Sequence, residues 1–348
     1  MKNFDPRIIA FYLPQFHPTP DNDKWWGKGF TEWTNVGKAK PLFKGHNQPH
    51  VPADLGYYDL RLPEVREAQV ELAKEAGIYG FCYYHYWFGN GKQELELPFE
   101  EVLRTGKPDF PFCLCWANES WHSKFWNIDG TIEKKLLIGQ NYGDKEEWEK
   151  HFYHLLPAFK DKRYIKIDGK PLFMIYKEDE FSQISDFIEY WNELAIKNGL
   201  EGLFFVAYKS KELNPEMVKQ VLGKGFNAIT SVGLDVARTR KPFIRRCIDK
   251  FLNSYILRVP QVHKYAHTYP YFISEIDSYN NVFPTLIPNW DHTPRSGRAG
   301  YVLLNSTPQL FSKHIQQVFS IVNKKTKDRQ IIFLKSWNEW GEGNYMEP

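Results

Sequence analysis

Short apolar runs recur along this chain at wide spacing, and the stretches between them are long enough for helices with one apolar face. That alternation constrains the fold more than any other feature, because repeated strand–helix units build a parallel sheet covered by helices. Eight runs read as strands: residues 8–13, 80–85, 112–116, 171–176, 203–207, 228–231, 285–289 and 331–336. Apolar residues fall at helical spacing in 62–76, 144–159, 180–198, 215–222 and 308–325. Pro63 opens the first of these and Gly77 follows it, while Asn198-Gly199 reads as a C-cap. Eight such units favour closure into a (β/α)8 TIM barrel, an α/β fold, over an open doubly wound sheet. No internal repeat or linker interrupts residues 1–348, so a single domain with long βα loops is expected, with a helical hairpin inserted at about 239–269. Twelve residues follow the last run, so the eighth helix is expected to be missing, shortened or replaced.

Composition narrows the function classes. Lys and Arg total 45 against 42 Asp and Glu, a balance that gives no electrostatic reason to expect nucleic acid or an anionic membrane as partner. Hydrophobic residues make up 42% of the chain, enough for a large core without disulfides. Cys82, Cys113, Cys115 and Cys247 form no zinc pattern and read as reduced cysteines of a cytoplasmic protein. The N-terminal residues lack a signal-peptide apolar region, and no 18-residue apolar run exists to span a bilayer. Neither a G-x-G-x-x-G turn nor a P-loop is present, which disfavours a nucleotide cofactor; no cofactor or metal is expected. Asp21-Asn22-Asp23 has a metal-binding D-x-D form that arises by chance in a chain this acidic.

Barrels do chemistry at the carboxyl ends of their strands, and there this sequence is dense in polar and aromatic residues. Gln15 and His17 follow the first run, and Glu32 lies in the loop after it. Tyr86 extends the second run beyond His85. Trp116-Ala117-Asn118-Glu119-Ser120-Trp121 ends the third, Tyr208 the fifth, and Trp290-Asp291 with Arg295 the seventh. Trp337-Asn338-Glu339-Trp340-Gly341-Glu342-Gly343 ends the eighth. Aromatic residues reach 17% of the chain, and rings beside polar groups suit sugars, whose C–H faces pack on them while hydroxyls find fixed partners.

Cleaving a glycosidic bond takes two carboxyl groups around one anomeric carbon. Glu339 and Glu342 are the candidates: Gly341 and Gly343 permit a turn that aims both inward, and Trp337 and Trp340 would wall out water and raise one carboxyl pKa. Glu119 is the rival acid, though a sugar-binding role is favoured for it. His85 reads as a sugar contact, an orienter of a carboxylate or a structural partner of a tyrosine. Asp291 and Arg295 read as a substrate clamp or a loop salt bridge, Gln15 and His17 as ligand contacts or loop structure, and Glu32 as solvated rather than gating. Asn118, Trp116, Trp121, Tyr86, Tyr208, Trp290, Asn338 and Trp340 complete the expected substrate-binding set.

Residues 9–17, 25–33, 80–88, 115–121, 290–295 and 337–348 together resemble the WbsX-type proteins, relatives of glycoside hydrolase family 99 often classed as glycosyltransferases of bacterial surface-polysaccharide loci. The resemblance covers essentially the entire chain. The loop 338–343 is similar to the catalytic loop of family 99 endo-α-mannosidases. There the first Glu acts as base on the sugar 2-hydroxyl, giving a 1,2-anhydro sugar, and the second serves as acid and then base. The resemblance therefore implies those roles for Glu339 and Glu342, with net retention. The likeness to the mannosidases thins outside this loop, so it implies nothing about mannose.

The expectation is a carbohydrate-active enzyme: a retaining, endo-type glycoside hydrolase acting on a bacterial polysaccharide or its precursor. The alternative is a glycosyltransferase of O-antigen, capsular or lipopolysaccharide biosynthesis; a non-catalytic glycan-binding barrel ranks third. The expected partner is an oligosaccharide or polysaccharide substrate.

Overall fold

A computed structural model describes residues 6–126, 132–234 and 259–348. Eight parallel strands close into a barrel: β1 (Arg7–Tyr12), β2 (Gly80–Trp87), β3 (Phe112–Trp116), β4 (Lys170–Ile175), β5 (Phe204–Lys209), β6 (Ala228–Ser231), β7 (Val282–Leu286) and β8 (Ile331–Leu334). Closure is explicit in the register, since β1 pairs with β8 through Ile9↔Phe333 and with β2 through Ile9↔Gly80. Rings from opposite sides of the barrel meet at its centre. Phe11 of β1 stacks on Tyr84 of β2 at 5.5 Å and on Phe333 of β8 at 5.4 Å, and meets Tyr208 of β5 edge-on at 5.9 Å. The barrel is thus filled with side chains, and only its carboxyl end is left to hold a ligand.

The outer layer includes α1 (Pro63–Glu75), α2 (Leu97–Thr105), α3 (Lys145–Lys160), α4 (Ile184–Lys197), α5 (Pro215–Gly223) and α6 (Pro308–Val322). Their starts follow local chemistry. Asp144 accepts from the backbone N–H groups of Glu146 and Glu147, Asn214 from Met217, and Thr307 from Leu310, satisfying donors that a helix leaves free at its first turn. Trp191 of α4 lies against Phe173 of β4 at 5.0 Å, one of many ring contacts that seal helix to barrel.

All eight expected strands are present, most within two residues of their predicted bounds. The exception is β7, which starts at Val282 rather than at 285 and stops at Leu286. The Ile287 N–H turns to the His314 imidazole at 3.3 Å, and Pro288 has no N–H to offer, so pairing ends there. Spacing did not reveal α2, whose nine residues carry Pro98 and three charges, or the antiparallel hairpin Trp121–Trp126 with Ile132–Ile138 after β3. Most of the expected helical insertion at 239–269, and Cys247, lie outside the described residues; within them, Gln261–Lys264 is a strand and Tyr265–Thr268 a helical turn. Cys82, Cys113 and Cys115 are free and buried.

After β8 the chain makes a 3₁₀ turn, Trp340–Glu342, and doubles back rather than building a helix. Glu347 then accepts hydrogen bonds from Tyr58 (2.7 Å), Gln69 (2.7 Å) and Trp340 (2.8 Å), anchoring this segment against α1. No helix among the described residues is long and apolar enough to cross a membrane.

Candidate active site

The turn after β8 is held before it presents anything. The Trp337 N–H donates to Phe11 O at 2.8 Å, and the Glu339 N–H to Ser336 Oγ at 2.9 Å. Asn338 is fully buried and splices onto β1: its Oδ1 accepts from Leu13 N at 2.8 Å and its Nδ2 donates to Leu13 O at 2.9 Å. A 3₁₀ turn then places residues three apart on one side, so Glu339 and Glu342 face the same way. Two glycines make the fold of this loop feasible. A Cβ on Gly341 would collide with the Glu32 carboxylate, and Gly343, at φ +58°, lies against the Asp291 backbone.

Both carboxylates converge on Arg295. Its Nη1 donates to Glu342 at 2.7 Å and to Glu339 at 3.2 Å, so the two acceptor oxygens lie within about 6 Å of each other. The other edge of the guanidinium forks onto Glu32 at 3.0 and 3.1 Å. Glu32 is 1% exposed, the opposite of the solvated position expected for it. From below, the ammonium of Lys335 lies 3.1 Å from Glu339 Oε2 and 2.6 Å from the Tyr84 hydroxyl. Glu342 also receives Asn344 Nδ2 at 3.2 Å and has His292 at 3.5 Å.

Burial alone would raise the carboxyl pKa of Glu342, but the charge of Arg295, then His292 and Lys335, outweighs it and holds the group well below the ordinary range. Burial would likewise lower Lys335, yet Glu339 leads the charges that keep it above its ordinary value. Glu119 shows the reverse balance: burial raises its carboxyl against the pull of Lys177, which lies 3.6 Å away.

Above these groups opens a cleft of about 200 Å³, bounded by Leu13, Gln15, Tyr84, Tyr86, Trp121 and Tyr176 with Glu119, Arg295, Lys335 and the two turn glutamates. A larger hollow of about 510 Å³ lies outside the barrel between β2, α2 and α3, with a mainly apolar surface. The smaller cleft is the one at the strand ends, where the charged groups meet, and it is the candidate site.

The structure brings Glu339, Glu342, Glu119, Tyr86, Trp121, Arg295 and Gln15 to this cleft and puts other expected residues behind its wall. His85 points outward from β2 to pair with His151 at 2.8 Å; burial pushes its pKa down to about 3. Asn118 is a splint: it accepts from Lys177 N at 2.8 Å and donates to Lys177 O at 2.9 Å, joining the ends of β3 and β4. Trp116 is buried, donating to Trp87 O at 2.9 Å, and His17 faces Pro14 O at 3.0 Å. Asp291 is buried outside the cleft lining, its carboxylate engaged by His46 (2.8 Å), Gln48 (2.6 Å) and Thr293 (2.6 Å). Trp290 is half-buried beside it, its carbonyl accepting from Leu303. Tyr208 lies beneath the floor, stacked on Tyr176 at 4.4 Å.

Trp337 and Trp340 do not wall the cleft. Trp337 is fully buried, and Trp340 stacks on Tyr345 at 3.7 Å below the turn. The walls are Tyr84, Tyr86, Trp121 and Tyr176 instead. Lys335 and His292 escaped sequence reasoning, and Tyr84 and Tyr176, though at strand ends, were not among the expected substrate contacts. Two of them carried a readable signal: Lys335 is a lone cation ending an apolar strand, and Tyr84 shares the face of Tyr86 by strand alternation. Among the described residues, no group of histidines, cysteines and carboxylates could hold a metal ion.

A family model described as Glycosyltransferase WbsX matches residues 8–348. The chain is 32% identical over 344 residues to the uncharacterized protein WxcX of Xanthomonas campestris pv. campestris, in each of two strains. The match covers 98% of this chain and 47% of WxcX, so the chain spans about half the length of the curated relatives it matches. In fold it is similar to the GH99 endo-α-mannosidase from Bacteroides thetaiotaomicron, with TM-scores of 0.57 and 0.56 for two structures at 14% and 15% identity, covering 99% of this chain and 88% of that one. A structure described as a glycoside hydrolase-like protein gives a TM-score of 0.59 at 13% identity, over 99% of this chain and 87% of the other.

Proposed function

The chain belongs to the WbsX glycosyltransferase family over nearly its whole length, and on that premise we propose that it is a carbohydrate-active enzyme, a retaining endo-type glycoside hydrolase cleaving a bacterial polysaccharide or its precursor. The observation that carries this reading is the meeting of Glu339 and Glu342 on one guanidinium nitrogen, at the floor of an open, ring-walled cleft.

In this reading a sugar enters between the carboxylates and displaces Arg295 from them. Glu339 takes the proton of the sugar 2-hydroxyl as that oxygen attacks the anomeric carbon, and the glycosidic bond breaks. Glu342 gives a proton to the departing oxygen, then removes one from the water that opens the 1,2-anhydro ring while Glu339 returns its proton to the sugar O2, so both carboxyls are restored and configuration is retained. With Arg295 in contact, Glu342 is ionised and unable to donate. Moving the guanidinium aside leaves burial as the main influence and lets the carboxyl gain its proton. Tyr86, Trp121 and Tyr176 offer faces for the flanking sugars, and Glu119, which also lines the cleft, binds hydroxyls.

The test is turnover on a panel of bacterial polysaccharides and fluorogenic glycosides. Glu339→Gln and Glu342→Gln should each lower turnover at least ~100-fold while glycan still binds. Near-wild-type activity in either variant rejects the assignment. The family description favours a second reading, a glycosyltransferase of O-antigen, capsular or lipopolysaccharide assembly. Strong thermal stabilisation by one nucleotide sugar, with no hydrolysis across the panel, would select it.

A further inference from the structure

We propose that Lys335 is a positioning residue that fixes the orientation and charge of Glu339 and so specifies Glu339 Oε1 as the oxygen that takes a proton; this rests on the reading of Glu339 as a base.

Glu339 has two cationic neighbours with different freedom. Arg295 contacts Oε1 from a loop, is 23% exposed, and divides its donors among three carboxylates. It has other partners to keep when a ligand takes its place at Oε1. Lys335 contacts Oε2 from the end of β8, and its side chain is 4% exposed. Its ammonium is held by the Tyr84 hydroxyl and lies over the rings of Tyr84, Phe11 and Tyr208 at 5.2, 5.4 and 6.0 Å. Buried among ring faces and bonded to a hydroxyl, the ammonium has little room to move away from Oε2. Oε2 therefore stays engaged while Oε1 becomes free, and a carboxylate that would otherwise present either oxygen presents one.

The charged and titratable groups that face Glu339 come from several elements: Lys335 and Glu342 from its own segment, Arg295 from the loop after β7, Tyr84 and Tyr86 from β2, and Tyr208 from β5. Burial raises the three tyrosines, which stay neutral. Once Arg295 withdraws, Lys335 is the cation left against Glu339 within this group.

Two measurements on the full chain separate this idea from the function it rests on. The first needs no substrate. Isotope-edited infrared spectra of glutamate-labelled protein, with Glu339→Gln subtracted, report ionisation of this carboxyl across a pH titration. Lys335→Met should move the midpoint upward by about one unit or more. A midpoint that does not move overturns the proposal. The second is the pH dependence of kcat/KM on whichever panel glycan is cleaved. Lys335→Met should shift the acidic limb upward by about one unit and lower kcat with KM little changed, while Lys335→Arg restores the limb. An unshifted limb again overturns it. If no glycan is cleaved by the unmutated protein, the hydrolase reading fails and the infrared titration still decides the role of Lys335. If Lys335→Met does not fold, Tyr84→Phe removes one restraint on the ammonium and should shift the same midpoint upward by a smaller amount; no shift in that variant overturns the proposal.

Discussion

Replacing Arg295 with methionine perturbs the site most directly. The side chain keeps its length and loses its charge, leaving Glu32, Glu339 and Glu342 gathered around an apolar group. In the unmutated protein the guanidinium makes contacts of 3.0 and 3.1 Å to Glu32, 2.7 Å to Glu342 and 3.2 Å to Glu339. Breaking a buried pair by removing one partner costs about 3–5 kcal/mol. Because the Arg295 side chain retains 23% exposure, screening favours the lower end, about 3 kcal/mol. For a chain of this size that corresponds to a fall in Tm of roughly 4 °C near neutrality.

The pH dependence gives the sharper test. Glu342 has a folded pKa below its unfolded one, so its contribution is present above the unfolded value and is lost as pH falls through the folded value. In Arg295→Met that depression largely disappears, and crowding with Glu32 and Glu339 favours the protonated form instead. The variant should then recover relative to the unmutated protein as acid neutralises the cluster. Calorimetry at pH 7.5 and pH 5 reads both curves, and their separation should shrink by at least about half. A separation that is absent at pH 7.5, or equal at both pH values, would refute the account of this cluster as three carboxylates bridged by the Arg295 guanidinium.

Further expectations follow from single contacts. Gly341→Ala should lower stability by about 2–4 kcal/mol in urea unfolding, since its methyl group has no space beside the Glu32 carboxylate. Asn338→Ala strips partners from both backbone groups of Leu13 and should cost about 2–4 kcal/mol in the same assay, far more than an exposed asparagine would. Trp121→Ala should cost about 1–3 kcal/mol of stability through its ring contacts with Trp25, Tyr86 and Phe88, and weaken oligosaccharide binding about tenfold by calorimetric titration. His85 and His314 are pushed by burial down to about 3 and about 4, below their unfolded values. Protons therefore bind the unfolded chain first, and stability should fall as pH drops below about 6.5, by up to ~1.4 kcal/mol per unit for each histidine. Urea midpoints at pH 7.5, 6 and 5 check this, and a flat profile would contradict it.

The alternation of apolar runs and amphipathic stretches was enough to find every barrel strand, because that pattern is local and each strand is apolar on both faces. It also located the turn after β8, since carboxyl ends of strands are where a barrel leaves room for ligand. What local pattern could not settle is which way each strand-end side chain points. His85 and Tyr86 are neighbours in sequence, yet one faces α3 and the other the cleft. Asn118 and Asn338 read as sugar ligands and instead join strand ends as backbone splints. Glu32 read as solvated and lies buried beneath Arg295, 263 residues away in the chain.

The sequence alone determined the barrel and the loop bearing the paired carboxylates, because hydrophobic periodicity and strand order are written residue by residue. The tertiary structure decided the electrostatics of that pair. Arg295, Lys335 and Glu32 reach it from separate elements, and the charge state of a buried carboxylate depends on which partners closure of the barrel brings within a few ångströms.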